Sequence, residues 1–237
     1  MRLQILGNGA FTQIQRHGNW NHAPTPAEYA DHARRYSDEI GLLSAISPQD
    51  WCCEPQALAG GRIGRVVFAG TGLTVRGHQH RTVDNFARLR ELAPELPFMP
   101  VLQGWTVDDY LRCIDLYTAA GFDLAAEPLV GVGSICRRQA SAEAARIFAE
   151  IVDAAPALKI HAFGVKLAGI ASYGSLIRSS DSMAWSKAAV HAPPLPGCHH
   201  RHCGNCATYA LRWRAQVIAA YHAHRHHPQG IQLALNL

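Results

Sequence analysis

Phe98-Met99-Pro100-Val101-Leu102-Gln103-Gly104-Trp105 is the stretch on which the fold turns. Its apolar half reads as a buried strand over Phe98–Leu102. Its second half sets an amide, a glycine and an indole just past the strand end. The helical period that follows over Val107–Ala120 stops at Gly121, where glycine suits the C′ position. Strand, polar rim and helix in that order make one βα unit, and the order recurs. Further strands are expected at Leu3–Leu6, Leu42–Ile46, Leu124–Ala126, Ile160–Val165 and Ser182–Ala184. Further helices are expected at Pro26–Ile40, His78–Leu92, Ser141–Ala154 and Tyr209–His222, the first opened by Thr25 as N-cap and Pro26 at the first helical position. Gly60 through Gly72 reads as a loop with a short strand at Val66–Phe68. Repeated βα units imply an α/β fold with a parallel sheet, and the expected architecture is a (β/α) TIM-type barrel. Six strands are fewer than the eight of a closed barrel, and the chain starts almost directly in one. Either strands lie hidden in loops, or the barrel is reduced or shortened at its N-terminus.

The 237 residues suit one large domain, with or without a small appendage. With 48% hydrophobic and 17% charged residues the chain can build a core, which excludes disordered, collagen-like and coiled-coil classes. No apolar run is long enough to span a bilayer and the first residues lack signal-peptide character, so a cytoplasmic protein without a membrane partner is expected. Seven cysteines, three of them between Cys198 and Cys206, suit a reducing compartment and metal binding better than disulfides. The prolines of Ala192–Gly197 form a stiff linker. It divides an expected barrel domain, 1–191, from an expected zinc-binding element with a basic helix packed on the barrel, 192–237.

The net charge of +4 is unevenly spread. Asp181 is the last acidic residue; Lys187, Arg201, Arg212, Arg214 and Arg225 follow it, with eight of the fourteen histidines. A one-signed end attracts polyanions, which makes Arg201, Arg212 and Arg214 candidate nucleic-acid contacts. Cys198-His199-His200-Arg201-His202-Cys203-Gly204-Asn205-Cys206 carries thiolates at spacings that can close a tetrahedron around Zn²⁺. Cys198, Cys203, Cys206 and His200 are the first choice of ligands; His199, His202 and His222 are rivals for the fourth place. Four protein ligands leave no open position, so such a site is structural.

Polar residues also follow the other apolar runs. Asp50, Gln103, Glu127 and Asp181, with Gly104, Gly164 and several aromatics, would converge at the C-terminal face of a parallel barrel. Amide and carboxylate groups there can read the edge of a planar heterocycle. Taken singly, Asp50 or Asp181 could instead cap a helix, and Trp51, Trp105 and Trp185 could be core. His78, His80 and Arg81 read as a solvated face, and Cys52, Cys53, Cys113 and Cys136 as small buried apolar groups.

Asn8-Gly9-Ala10-Phe11-Thr12, Ser47-Pro48-Gln49-Asp50-Trp51, Val101-Leu102-Gln103-Gly104-Trp105, Glu127-Pro128-Leu129-Val130-Gly131, Phe163-Gly164-Val165 and Ser180-Asp181-Ser182-Met183-Ala184-Trp185, followed by the cysteine cluster, resemble in order the tRNA-guanine transglycosylase superfamily. The resemblance is to its DpdA-like branch in particular, which inserts 7-deazaguanine bases into DNA, and it spans roughly Asn8 to Trp213. It implies Asp181 as nucleophile of a covalent glycosyl–aspartate intermediate, and Asp50 and Gln103 as readers of the base edge. Gly104, Glu127, Leu129, Phe163 and Gly164 would complete the base pocket, and the cysteine cluster would hold structural zinc. It further implies DNA, or in the near alternative tRNA, as polymer and a 7-deazaguanine such as preQ0 as the incoming base. Gly7 stands where the family motif usually carries an Asp used in proton transfer and base recognition. Either Asp50 takes over the proton, or the chain is a non-catalytic zinc-containing nucleic-acid-binding relative.

Overall fold

The computed structural model describes residues 4–225. In chain order its elements are β1 (Gln4–Leu6), α1 (Ala10–His17), α2 (Pro26–Glu39), β2 (Leu43–Ile46), α3 (Pro55–Ala59), β3 (Gly61–Ile63), β4 (Val66–Phe68), α4 (Val75–Leu92), β5 (Val101–Leu102), α5 (Val107–Ala119), β6 (Val130–Val132), α6 (Ala142–Ala154), β7 (Ile160–Ala162), α7 (Leu167–Tyr173), a 3₁₀ turn (Gly174–Leu176), β8 (Ser179–Ser180), α8 (Ala184–His191) and α9 (Ala207–Arg225). They fall into two compact units, Met1–Ser134 with Glu150–Ile160, and Ile135–Ala149 with His161–Leu237.

The first unit is built of consecutive parallel staves. β1 pairs with β2, the end of β2 bridges to Phe98, and β5 pairs with β6. Beyond β6, the Val130 N–H donates to the Lys159 carbonyl at 2.9 Å. The helices between the staves pack in sequence, α2 on α4 and α4 on α5. α2 starts at a full capping box between Thr25 and Glu28, and α5 at another between Thr106 and Asp109. The core gathers Phe86, Phe98, Tyr110 and Tyr117, all fully buried. Buried phenols need partners, and each has one in the backbone. Tyr117 accepts from the Val101 N–H (3.0 Å) and donates to the Val101 carbonyl (3.1 Å), tying α5 to β5, while Tyr110 donates to the Gly133 carbonyl (2.8 Å).

In the second unit β7 pairs with β8 in parallel, His161 opposite Ser179 and Ala162 opposite Ser180. Tyr173 stacks on Phe148 at 4.6 Å between centroids and donates to the Gln139 carbonyl at 2.8 Å. Helix α9 packs on α7 and α8.

The parallel strands and the α/β class match expectation, but no pairing among the described residues closes a barrel. Two strands are displaced. Leu124–Ala126 is a turn, because the Asp123 carboxylate accepts from the Ala125 N–H (2.9 Å), and the strand forms later at fully buried Val130–Val132. Ser182–Ala184 is not a strand either; β8 ends at Ser180, and Ser182 Oγ takes the Ala184 N–H (3.0 Å) where α8 begins. Val66–Phe68 is a strand, paired antiparallel with Gly61–Ile63. Helices α1, α3, α7 and α8 were not anticipated, since each is too short to show a helical period. His78 is fully buried rather than solvated, because both ring nitrogens find partners, Nδ1 at the Cys52 carbonyl and Nε2 at Thr71 Oγ1, each at 2.7 Å. Cys52, Cys53 and Cys113 are buried as expected, whereas Cys136 is exposed. Among the described residues no helix is long and apolar enough to cross a membrane.

Backbone segments meet closely at Gly70, whose φ is 75° and where an added Cβ would lie 2.4 Å from the Gly60 nitrogen. Gly70→Ala should therefore lose at least about 1 kcal/mol of stability in urea unfolding. Gly7→Ala, with nothing within 4 Å of the new carbon, should stay within about 0.5 kcal/mol of the parent.

Candidate active site

Three loops at the carboxyl ends of β1, β2 and β5 meet around one carboxylate. Asp50 is only 6% exposed, and its oxygens accept from the Asn8 and Gln103 side-chain amides. Asn8 also donates to Ser47 Oγ (3.1 Å) and to the Pro48 carbonyl, and its own Oδ1 accepts from the Ala10 N–H (2.7 Å) where α1 starts. Burial pushes the Asp50 carboxyl up to about 6 against the opposing pull of the Asn8 and Gln103 hydrogen bonds.

Gln103 is fixed from every side. Ser134 Oγ donates to its Oε1 (2.7 Å), Gln79 donates to its carbonyl (2.7 Å), and an added Cβ on Gly133 would come within 2.3 Å of its Nε2. The Gln103 amide therefore lies against Gly133, where a larger residue would displace it. Ser134 sits at φ 56°, the left-handed region that a non-glycine residue rarely adopts. There its hydroxyl also accepts from the Cys53 N–H (2.7 Å) and reaches Glu54 (3.1 Å).

The other expected base-pocket residues of this unit lie apart from that network. Glu127 is buried, and both its oxygens accept from Arg90 at 3.1 Å. Leu129 is buried core, and Gly104 is needed for close packing, since a Cβ there would sit 2.8 Å from Asp109 Cβ.

The second unit holds a separate cluster at the end of β8. Asp181 is exposed, and its Oδ1 accepts from the Gly164 N–H at 2.7 Å. Among the described residues nothing hydrogen-bonds Oδ2. Neither Asp50 nor Asp181 caps a helix; the N-cap of α8 is Met183. Gly164, at φ 68°, could not be replaced, because a Cβ would lie 2.5 Å from Cys136 Cβ. His161 is 1% exposed and donates to or accepts from Ser179 Oγ through Nδ1 (2.9 Å), with Nε2 3.9 Å from Asp181 Oδ1. Burial holds its pKa below the usual imidazole range although the Asp181 charge pulls upward. Phe163 packs edge-on against the His161 ring at 4.7 Å.

Further along the same unit Cys198, His200, Cys203 and Cys206 bring their ligand atoms within 4.8 Å of one another. The Cys198 and Cys206 sulfurs are 3.9 Å apart, close to the edge of about 3.8 Å that a tetrahedron of 2.3 Å Zn–S bonds requires. His200 Nε2 lies 3.0 Å from Cys203 Sγ, so His200 joins the group rather than His199, His202 or His222. The backbone N–H groups of Tyr209 and Thr208, at the start of α9, pull the Cys206 thiol below its usual range. This donor set can hold a metal ion. Arg201, Arg212 and Arg214 are exposed on the cluster's loop and on α9.

Asn8, Ser134, Gly133 and His161 were not singled out from the sequence as site residues. Asn8 stands inside one of the family motifs and His161 inside an expected strand, but nothing in a linear pattern reports that a side chain packs against a distant carboxylate.

The chain matches the family model of DpdA, DeoxyPurine in DNA protein A, over residues 3–234. None of the curated proteins matches it. With nearly its whole length covered, the protein belongs to the DpdA family, and that membership supports a part in 7-deazaguanine modification of DNA by a transglycosylase-type enzyme.

Proposed function

We propose that the protein exchanges guanine in DNA for a 7-deazaguanine base, preQ0 or a close relative, through a covalent glycosyl–aspartate intermediate. The observation that carries this reading is Asp181: an exposed carboxylate with one oxygen held by the Gly164 N–H and the other unengaged among the described residues. Such a group is oriented for attack yet not neutralised by a cation. The target guanine, drawn out of the stack, would lose its bond from C1′ to the ring nitrogen as an Asp181 oxygen bonds to C1′. The incoming base would then attack C1′ from the opposite face, release Asp181 and retain configuration. Glycosyl transfer conserves the bond, so no nucleoside triphosphate is needed.

Asp50 and Gln103 are the proposed readers of the base edge. Both are already oriented, so little entropy is lost when a base binds. A carboxyl with a pKa of about 6 also suits proton transfer near neutrality, the duty Gly7 cannot perform. Of the remaining proposed base-pocket residues, Phe163 and Gly164 stand beside Asp181, whereas Gly104 and Leu129 are packing residues of the first unit and Glu127 is held by Arg90. Cys198, His200, Cys203 and Cys206 would hold structural Zn²⁺, which closes the loop and fixes the start of α9; Arg201, Arg212 and Arg214 would meet phosphates.

Asp181→Asn should keep the fold and abolish exchange, because a neutral amide forms no glycosyl ester. The check is a denaturation-resistant protein–DNA adduct, present in wild type and lost in the variant; an adduct surviving in Asp181→Asn places the nucleophile elsewhere. Absence of any adduct in wild type, with its appearance in Gly7→Asp, would favour the non-catalytic reading; nothing lies within 4 Å of a Cβ added at Gly7.

Asp50 gives a pH dependence. Only when it is ionised do both its oxygens accept and can it take up a proton, so kcat/KM should fall about tenfold per pH unit below about 6, and Asp50→Asn should remove that limb.

Purified protein should carry one equivalent of zinc by elemental analysis. Cys203→Ser should release it and lower the melting temperature, since ligand binding and local folding are linked.

A further inference from the structure

The β3–β4 hairpin lies outside everything assigned above, and its composition is at odds with its exposure. Among the described residues it forms a two-stranded ribbon with no third strand. Ile63, Val66 and Val67 are 36%, 37% and 52% exposed, an unusual place for three β-branched residues. Ile63 pairs with Val66 across the ribbon, next to a turn at Gly64 (φ 58°) and Arg65. Cross-strand partners share a face, so Ile63 and Val66 form one apolar tip. Arg62, opposite Val67, and Arg65 at the turn flank it, both exposed.

A free ribbon of this size is marginal in water, yet this one is anchored at its base. Phe68 is buried and meets Phe11 of α1 edge-on at 5.7 Å. The Gln15 side chain of α1 donates to the Val67 carbonyl, and the Gln15 carbonyl accepts from the Ala69 N–H (2.9 Å). Thr71 and Gly72 donate to the carbonyls of Ala57 and Leu58, each at 2.9 Å. Arg16 and His17, both exposed, follow Gln15 on the same helix.

The surrounding charge selects the partner. Residues 1–27 and 55–83 contain no Asp or Glu. Among the described residues Arg16, Arg62 and Arg65 form no ion pair, so the anchored ribbon is a one-signed surface with an apolar point. A second copy of the chain would set arginine against arginine there. A polyphosphate with a stack of planar bases satisfies both features: phosphates take the guanidinium groups, and the apolar tip fits where a base step opens.

We infer that the β3–β4 hairpin is a DNA wedge, with Arg62 and Arg65 on phosphates and Ile63 and Val66 entering a base step that opens. The inference rests on the reading of DNA as substrate. It gives the first unit its own DNA contact, in addition to the arginines of the second.

The test uses the full chain, a fluorescent duplex oligonucleotide and the same duplex with a central mismatched step, titrated by anisotropy over a range of salt. Replacing Arg62 and Arg65 together by Ala should reduce the slope of log K against log salt by about 2, while the double Lys variant keeps it. Wild type should prefer the mismatched duplex severalfold, because unstacking there costs less, and replacing Ile63 and Val66 together by Ser should remove the preference without changing the slope. An unchanged slope in the Ala pair, or a preference that survives in the Ser pair, overturns the wedge. So does sedimentation in which the hairpin variants turn a dimer into monomers while binding DNA as before, since the tip would then be an interface between copies. Binding does not depend on base exchange. Slope and preference that behave as expected in a protein without exchange activity would uphold the wedge and reject the exchange reading, whereas hairpin variants exchanging duplex guanine at the wild-type rate reject the wedge alone.

Discussion

Burying a carboxylate constrains everything that touches it. Asp50 is almost wholly removed from solvent, and its oxygens are accommodated only because Asn8 arrives from the end of β1 and Gln103 from the end of β5. Those two amides must be held in turn, Asn8 by Ser47 and Pro48, Gln103 by Ser134, Gln79 and the bare surface of Gly133. The partners do not fully offset the burial. The folded pKa of about 6 exceeds the ordinary 3.8, so a stabilising contribution present below 3.8 is lost as the pH rises through 6, roughly 3 kcal/mol in all. A group kept in place at that disadvantage is more readily explained by chemistry than by architecture.

Glycine does similar work beside both proposed reaction groups. Gly133 lets the Gln103 amide lie against backbone, and Gly164 offers its N–H to Asp181 from a left-handed conformation while leaving room for Cys136. In each case the functional side chain is placed by the absence of another. Rigid placement lowers the entropy lost on forming a reactive complex, which suits the proposed base exchange. Beside Asp181, burial holds the His161 imidazole below its usual range while the Asp181 charge pulls it upward.

Much was legible in the sequence for local reasons. The Cys198–Cys206 spacing lies within one loop, so its ability to gather four ligand atoms hardly depends on the rest of the chain. Thr25-Pro26 and the glycine after Ala120 mark helix ends through capping, which is also local. The apolar run Phe98–Leu102 before Gln103 is buried as expected, but only Val101 and Leu102 form the strand, with Phe98 in a single bridge to Ile46. Failures came where a side chain redirected the backbone over two or three residues, as Asp123 did at Ala125 and Ser182 at Ala184. They came also where burial was won by distant partners, as for His78.

The sequence by itself determined the alternation of strands and helices, the metal-ligating spacing, the family motifs and the charge asymmetry, because each depends on residue type and short separations. Tertiary structure alone decided that Asn8, Gln103 and Ser134 converge on one buried network across dozens of residues, that Glu127 is taken up by Arg90, and that an acid-free segment becomes an anchored hairpin with an exposed apolar tip. The physical reason is that burial and hydrogen-bond satisfaction are properties of surroundings assembled from many segments, and a linear pattern records only one segment at a time.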